Sequence, residues 1–244
     1  MGRIYTVGRG QDVSGIPLGV IIMDDFIPYP PGTPGNARTF DHPVLYSVVR
    51  GADMENLIYN PKPELVERFL EAGRELVRQG VRAVTGNCGF MIFFQDQLAA
   101  ELPVPVFMSS LLQLPWIAAA LRPGQRIGVL TASGQSLTPR HLEIATRGVP
   151  VDIEVRGLEH GPAFKAAIHD QVGTLDFDAI EAEVVSAAMD IVRTGGDIGA
   201  ILFECTDLPP YAHAVQQATG LPVFDITTLI KFAMAGVERQ PFGV

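Results

Sequence analysis

Cysteine is nearly missing from this sequence, with only Cys88 and Cys205 in 244 residues. Two thiols are too few for a disulfide framework. They can form one bridge, sit as buried apolar residues, or do chemistry. No C-x-x-C or H-x-x-x-H spacing occurs, so a zinc site is not expected. Basic charge is also scarce. Eighteen Lys and Arg stand against 27 Asp and Glu, giving a formal net charge of -9. A chain of that sign repels phosphate backbones, which argues against a nucleic-acid partner. No apolar stretch reaches about 18 residues without a charge or breaker, so no membrane span is expected. The N-terminus lacks the basic region and apolar run of a signal peptide. Gly2 with Thr6 formally meets a myristoylation pattern, a motif with many false matches. Together these absences predict a soluble, cytoplasmic protein.

Apolar residues are plentiful: 47% are hydrophobic and 18% charged, enough for a proper core. The length suits one large or two small α/β domains. Short β-branched runs read as buried parallel strands at 19–23, 81–85, 104–107, 126–130, 151–155, 198–203 and 222–225. Between them lies helical periodicity. Pro63 to Gln79 places Leu65, Phe69 and Leu76 on one stripe, with Pro63 at its start and Gly80 at its end. A second long helix fits Phe177 to Arg193, closed by Gly195-Gly196. Thr138 and Pro139 read as the cap and first residue of another. Such alternation predicts open parallel sheets with sites at the carboxyl ends of strands. The segment from Pro28 to Pro43 is too rich in Pro, Gly, Asn and Asp for a regular element; it reads as a binding loop or a floppy surface loop, and its place after the first strand favours the first.

The chain also repeats weakly. Cys88 and Pro105-Val106-Phe107 recur as Cys205 and Pro222-Val223-Phe224 at one common offset, 117 positions (88 to 205, 105 to 222), with Leu112 and Leu229 in register. Each Cys follows an apolar strand. The pattern predicts two related α/β halves, each carrying one thiol at a strand end.

Two thiols facing one cleft can move a proton. A thiol has a free pKa of about 8.5 that its surroundings shift readily. One thiolate can take a proton from a substrate carbon while the opposite thiol returns one to the other face, inverting a stereocentre without a metal or organic cofactor. Removing a proton α to a carboxylate needs preorganised donors. Asn87, Gly89, Phe90 and Thr206 flank the two thiols and are candidates, with Gly89-Phe90 opening a helix whose first N–H groups are free. A helix start lowers the pKa of Cys88, whereas Glu204 and Asp207 raise that of Cys205. Cys88 is therefore expected as the resting thiolate and Cys205 as the resting acid.

At Gly86-Asn87-Cys88-Gly89-Phe90 and Glu204-Cys205-Thr206-Asp207 the chain resembles the aspartate/glutamate racemase superfamily. That group includes amino-acid and hydantoin racemases, maleate isomerase, arylmalonate decarboxylase and an algal-type dimethylsulfoniopropionate lyase. The resemblance covers nearly the whole chain. It implies two pseudo-symmetric, flavodoxin-like α/β domains, residues 1–121 with 222–244 and residues 122–221, with the site between them. It implies no cofactor, a small carboxylate substrate and a homo-oligomer. Cys88 and Cys205 match the two catalytic positions, and Thr206 the Thr that holds a substrate carboxylate. Asp207 stands where amino-acid racemases have His or Glu. Gly89-Phe90 stands where glutamate and aspartate racemases have Asn-Thr, which removes two polar contacts. The loop containing Asn36 and the segment Thr131-Ala132-Ser133 resemble substrate-contacting regions.

The five histidines lack triad or metal spacing, and only His42, in the irregular loop, stands near a candidate site. Ser133 and Ser136 flank Gly134-Gln135 in a pattern shared by anion sites and simple turns. Trp116 reads as packing, and 239–244 as a tail. The leading expectation is a racemase or isomerase acting next to a carboxylate. A lyase or decarboxylase with one essential Cys, and a small-carboxylate binding protein without turnover, remain alternatives.

Overall fold

A computed structural model describes residues 4–239 and 241–242. Gly2, which carries the myristoylation pattern, lies outside them, as do positions 240, 243 and 244 of the expected tail.

The chain runs β1 (Leu18–Met23), β2 (Val44–Val49), α1 (Val66–Arg78), β3 (Ala83–Gly86), α2 (Gln95–Glu101), β4 (Val106–Phe107) and α3 (Leu114–Ala120). It continues with β5 (Arg126–Thr131), α4 (Pro139–Thr146), β6 (Ile153–Gly157), α5 (Pro162–Phe164), α6 (Phe177–Thr194), β7 (Ile198–Phe203), α7 (Ala212–Thr219), β8 (Val223–Phe224) and α8 (Ile226–Val237). Two four-stranded sheets form, ordered β2-β1-β3-β4 and β6-β5-β7-β8, with every pairing parallel. The identical order is the first part of the flavodoxin-like winding, in which the chain reverses direction between the first and third strands. The central strands β1 and β7 are buried at every position, which is why they read as continuous apolar runs.

The helix signals act as read. Gly80, at φ 92°, ends the helix that begins at Pro63, a position where a Cβ would be strained. Asp176, which was not singled out from the sequence, caps α6 by accepting from the Ala179 N–H at 3.1 Å. Thr138 and His141 form a reciprocal capping box at the start of α4. Such caps contribute about 1 kcal/mol each. Residues 28–43 form no strand or α-helix, only an isolated bridge and a single 3₁₀ turn.

Three features differ from the sequence expectation. Strand β2 was not expected: it is a half-exposed edge strand directly behind the irregular loop, so its apolar alternation is weak. Two π-helical turns, Glu55–Tyr59 and Lys165–His169, were also not anticipated. The third difference concerns the division of the halves. β8 pairs with β7, so residues 222–225 belong to the second sheet and the crossover begins at α8. Ile226, Leu229 and Ile230 of α8 pack beneath the first sheet with Leu18, Val20 and Ala83. At the same offset of 117, the 3₁₀ turn Ser110–Gln113 and α3 lie against the second sheet, among Ile127, Val129 and Leu202. The halves thus exchange their closing helices. Gln113 ties the exchange together, donating to the Asp225 carbonyl (2.8 Å) and accepting from the Thr228 hydroxyl (2.9 Å).

Candidate active site

Both thiols emerge where strand order reverses, Cys88 after β3 and Cys205 after β7. Each is free and buried, and both line one small cavity of about 20 Å³ between the halves, room for about one water. Cys88 is the extended residue that enters the 3₁₀ turn Gly89–Phe94. Asn87, Gly89, Phe90, Thr206, Glu204 and Asp207 share the lining. The opposite walls are apolar: Met23 ends β1 and Ile27 follows it, while the two π-turns bring in Ile58 and Ile168. Those turns meet outside the cavity, where the Tyr59 hydroxyl bonds the His169 ring.

The halves are locked at the thiols by the Thr206 hydroxyl, which donates to the Asn87 carbonyl. Asn87 is committed in both directions. Its Oδ1 accepts from the Met23 N–H at 2.8 Å, and its amide donates to the Tyr29 hydroxyl at 2.8 Å. Tyr29 in turn donates to Asp25 at 2.6 Å. On the facing side, the Thr131 hydroxyl donates to Glu204 Oε2 at 2.7 Å. The other carboxyl oxygen, Oε1, is buried without a hydrogen-bond partner. The Cys205 thiol points to Asp207 Oδ2 at 3.7 Å.

Burial dominates the electrostatics. It raises Glu204 to about 7, against the Thr131 hydrogen bond. It raises Asp207 to about 7, helped by the charge of Asp25, and Asp25 itself to about 6. Both thiols are pushed well up, first by burial and then by the carboxyls. The N–H of Phe90 at Cys88, and that of Asp207 at Cys205, act the other way. A resting thiolate at Cys88 is therefore not favoured. Glu204 and Asp207 neighbour only Cys205 in the chain, but with the halves facing, both carboxyls act on Cys88 as well.

Of the expected site residues, Cys88, Cys205, Asn87, Gly89, Phe90 and Thr206 come together on one cavity. Three do not line it. Asn36 caps the 3₁₀ turn Ala37–Thr39 and donates to the Tyr29 carbonyl at 2.7 Å, supporting the loop from behind. Thr131 lies one step back, holding Glu204. Ser133 bonds Ser136 at 2.9 Å and faces a separate recess beside Lys165 and His169. His42 is half-buried and stacks on Phe40, away from the thiols. Sequence reading missed Asp25 and Tyr29 altogether. The available signal was Asp25's place at the carboxyl end of β1, where sites of this sheet type gather. Among the described residues no cluster of three metal-ligating side chains exists, and no helix is long and apolar enough to cross a membrane.

Residues 47–230 match the Asp/Glu/hydantoin racemase family. The chain belongs to that family. It is 39% identical over 240 residues to dimethylsulfoniopropionate lyase 3 of Emiliania huxleyi, an alignment covering 93% of this chain and 61% of the relative. It is 33% identical over 245 residues to the dimethylsulfoniopropionate lyase of Durusdinium sp. clade D, covering 97% and 80% respectively. The chain thus spans about three fifths of the Emiliania huxleyi relative's length. Among solved structures, the Gly74Cys mutant of arylmalonate decarboxylase superposes with a TM-score of 0.59 at 16% identity, covering 93% of this chain and 97% of the other. The glutamate racemase of Thermus thermophilus superposes at 0.54 with 21% identity, covering 94% and 86%. At these identities the likeness is one of fold: two facing parallel-sheet halves.

Proposed function

We propose that this chain is a lyase that abstracts a proton next to a carboxylate and expels a β-sulfonium group, with dimethylsulfoniopropionate as the substrate. The observation that carries this is the charge of the cavity. Glu204 and Asp207 line it, Asp25 stands behind, and no Lys, Arg or His belongs to the lining. A substrate bearing two carboxylates, such as aspartate or glutamate, meets repulsion there. A cation is favoured. An ammonium also needs hydrogen-bond acceptors on its N–H groups. A dimethylsulfonium has none to satisfy, and its methyl groups suit walls such as Met23, Ile58, Phe90 and Ile168. The named relatives act on that molecule.

Cys205 is the base in this reading, because its thiol already points to Asp207. The thiol proton passes to the Asp207 carboxylate, and the thiolate takes the proton from the carbon beside the substrate carboxylate. The released electron pair forms the carbon–carbon double bond as the bond from carbon to sulfonium breaks. Dimethyl sulfide and acrylate leave, with the abstracted proton on Cys205. The first backbone N–H groups of the turn at Gly89 are the donors for the substrate carboxylate, with Thr206 holding that turn's entry through the Asn87 carbonyl. Cys88 closes the opposite face.

The pseudo-symmetric thiols favour a second reading, racemisation by two-sided proton transfer. One experiment separates the two. The protein is incubated in deuterated water with dimethylsulfoniopropionate and, separately, with a panel of amino acids. The lyase reading expects equimolar dimethyl sulfide and acrylate and inert amino acids. Deuterium at the α-carbon of an amino acid, with no dimethyl sulfide, establishes the racemase instead. No change in any compound leaves a binding protein.

A further inference from the structure

Position 204 pairs with an absence. A Cβ built on Gly89 would lie 2.2 Å from both the Glu204 carbonyl oxygen and Glu204 Oε1. No side chain fits at 89 while Glu204 keeps this conformation. The carboxyl from the second half therefore occupies the space that a side chain beside Cys88 would fill. Thr131 holds one oxygen in place at 2.7 Å. The other, Oε1, is fully buried and has no partner, although Glu204 lines the cavity. A buried carboxylate oxygen left unmatched is costly, so the ionised form of Glu204 is matched only when something positive occupies the cavity. Asp207 is engaged by the Cys205 thiol and Asp25 by Tyr29, which leaves Glu204 as the uncommitted acceptor.

We propose that Glu204, seated against Gly89 and anchored by Thr131, is the counter-ion that selects a cationic group on the substrate. The proposal rests on the onium-carboxylate reading above and adds the residue that recognises the charge. Glu204 then sets specificity, while the Cys205 thiol carries the proton.

The test compares two ligands of one shape and different charge. Dimethylsulfonioacetate cannot undergo β-elimination, and 3-methylbutanoate is its neutral-tailed carbon isostere. Both are titrated by calorimetry into the wild-type protein and Glu204→Gln at about pH 8, where a carboxyl near 7 is ionised. Wild type is expected to prefer the sulfonium by roughly tenfold or more, and Glu204→Gln to bring the two within about twofold, as loss of one buried charge partner predicts. Binding of 3-methylbutanoate should change little. No preference in wild type overturns the proposal. So does a preference that survives in Glu204→Gln, since Asp25 or Asp207 would then be the counter-ion. If Glu204→Gln does not fold, Glu204→Asp withdraws the charge by one methylene and should weaken the preference severalfold; an unchanged preference overturns the proposal. Because neither ligand is turned over, a failed lyase assay and a failed counter-ion remain distinguishable.

Discussion

The two halves share a strand order and a thiol position, yet the chemistry around each thiol differs. At the common offset, Asn87-Cys88-Gly89-Phe90 faces Glu204-Cys205-Thr206-Asp207. The second half supplies both carboxyls of the lining, and the first half supplies a glycine that makes room for one of them and a phenyl ring. The backbone symmetry extends to detail, since each thiol faces the N–H two residues further on, that of Phe90 or Asp207. Side chains break it. A symmetric frame therefore brings two thiols to one cavity, and asymmetric neighbours give them different surroundings.

The largest effect expected from this comparison is at the thiols. Cys205→Ser should lose about a thousandfold in rate of dimethyl sulfide release, and Cys88→Ser about a hundredfold, within the range for acid–base groups. Steady-state assays of both variants check this. Equal losses would mean that the halves act symmetrically, as in racemisation, and would remove the case for Cys205 as sole base.

Gly89→Ala comes next. Its methyl would meet the Glu204 backbone oxygen, which cannot swing away as a side chain can. Overpacking of this kind costs about 1–3 kcal/mol, read as a lower denaturant midpoint, together with displacement of the Glu204 carboxyl. A variant of wild-type stability would show that the halves can part locally without cost.

The smallest effect is on stability against pH. Glu204 and Asp207, at about 7, and Asp25, at about 6, hold protons in the fold that the unfolded chain releases near the ordinary values of 4.5 and 3.8. Between about pH 4 and 7 the native state binds more protons, so the contribution of these groups is whole below the unfolded values and is lost as pH rises through the folded ones. The ligand-free protein should therefore lose stability over that window, and Glu204→Gln should flatten the slope. Melting temperatures at a series of pH values measure both. A wild-type slope of the opposite sign would place the carboxylates in a more polar setting than the fold provides.

Local physical chemistry made much of this protein legible from its residues alone. β-branched runs marked seven of the eight strands, Pro63, Gly80 and Thr138 behave as helix ends through backbone rules that act over a few residues, and the offset of 117 located both thiols at strand ends. Six of the nine expected site residues line the cavity for the same reason, being neighbours of the thiols in the chain. Contacts between distant segments were decided only by tertiary structure. The seat of Glu204 against Gly89, the path from Asn87 through Tyr29 to Asp25, the exchange of closing helices and the apolar walls delivered by the π-turns all join residues far apart in sequence. No local preference encodes such a meeting, because it exists only once two sheets, each stabilised by its own buried strands, have packed face to face.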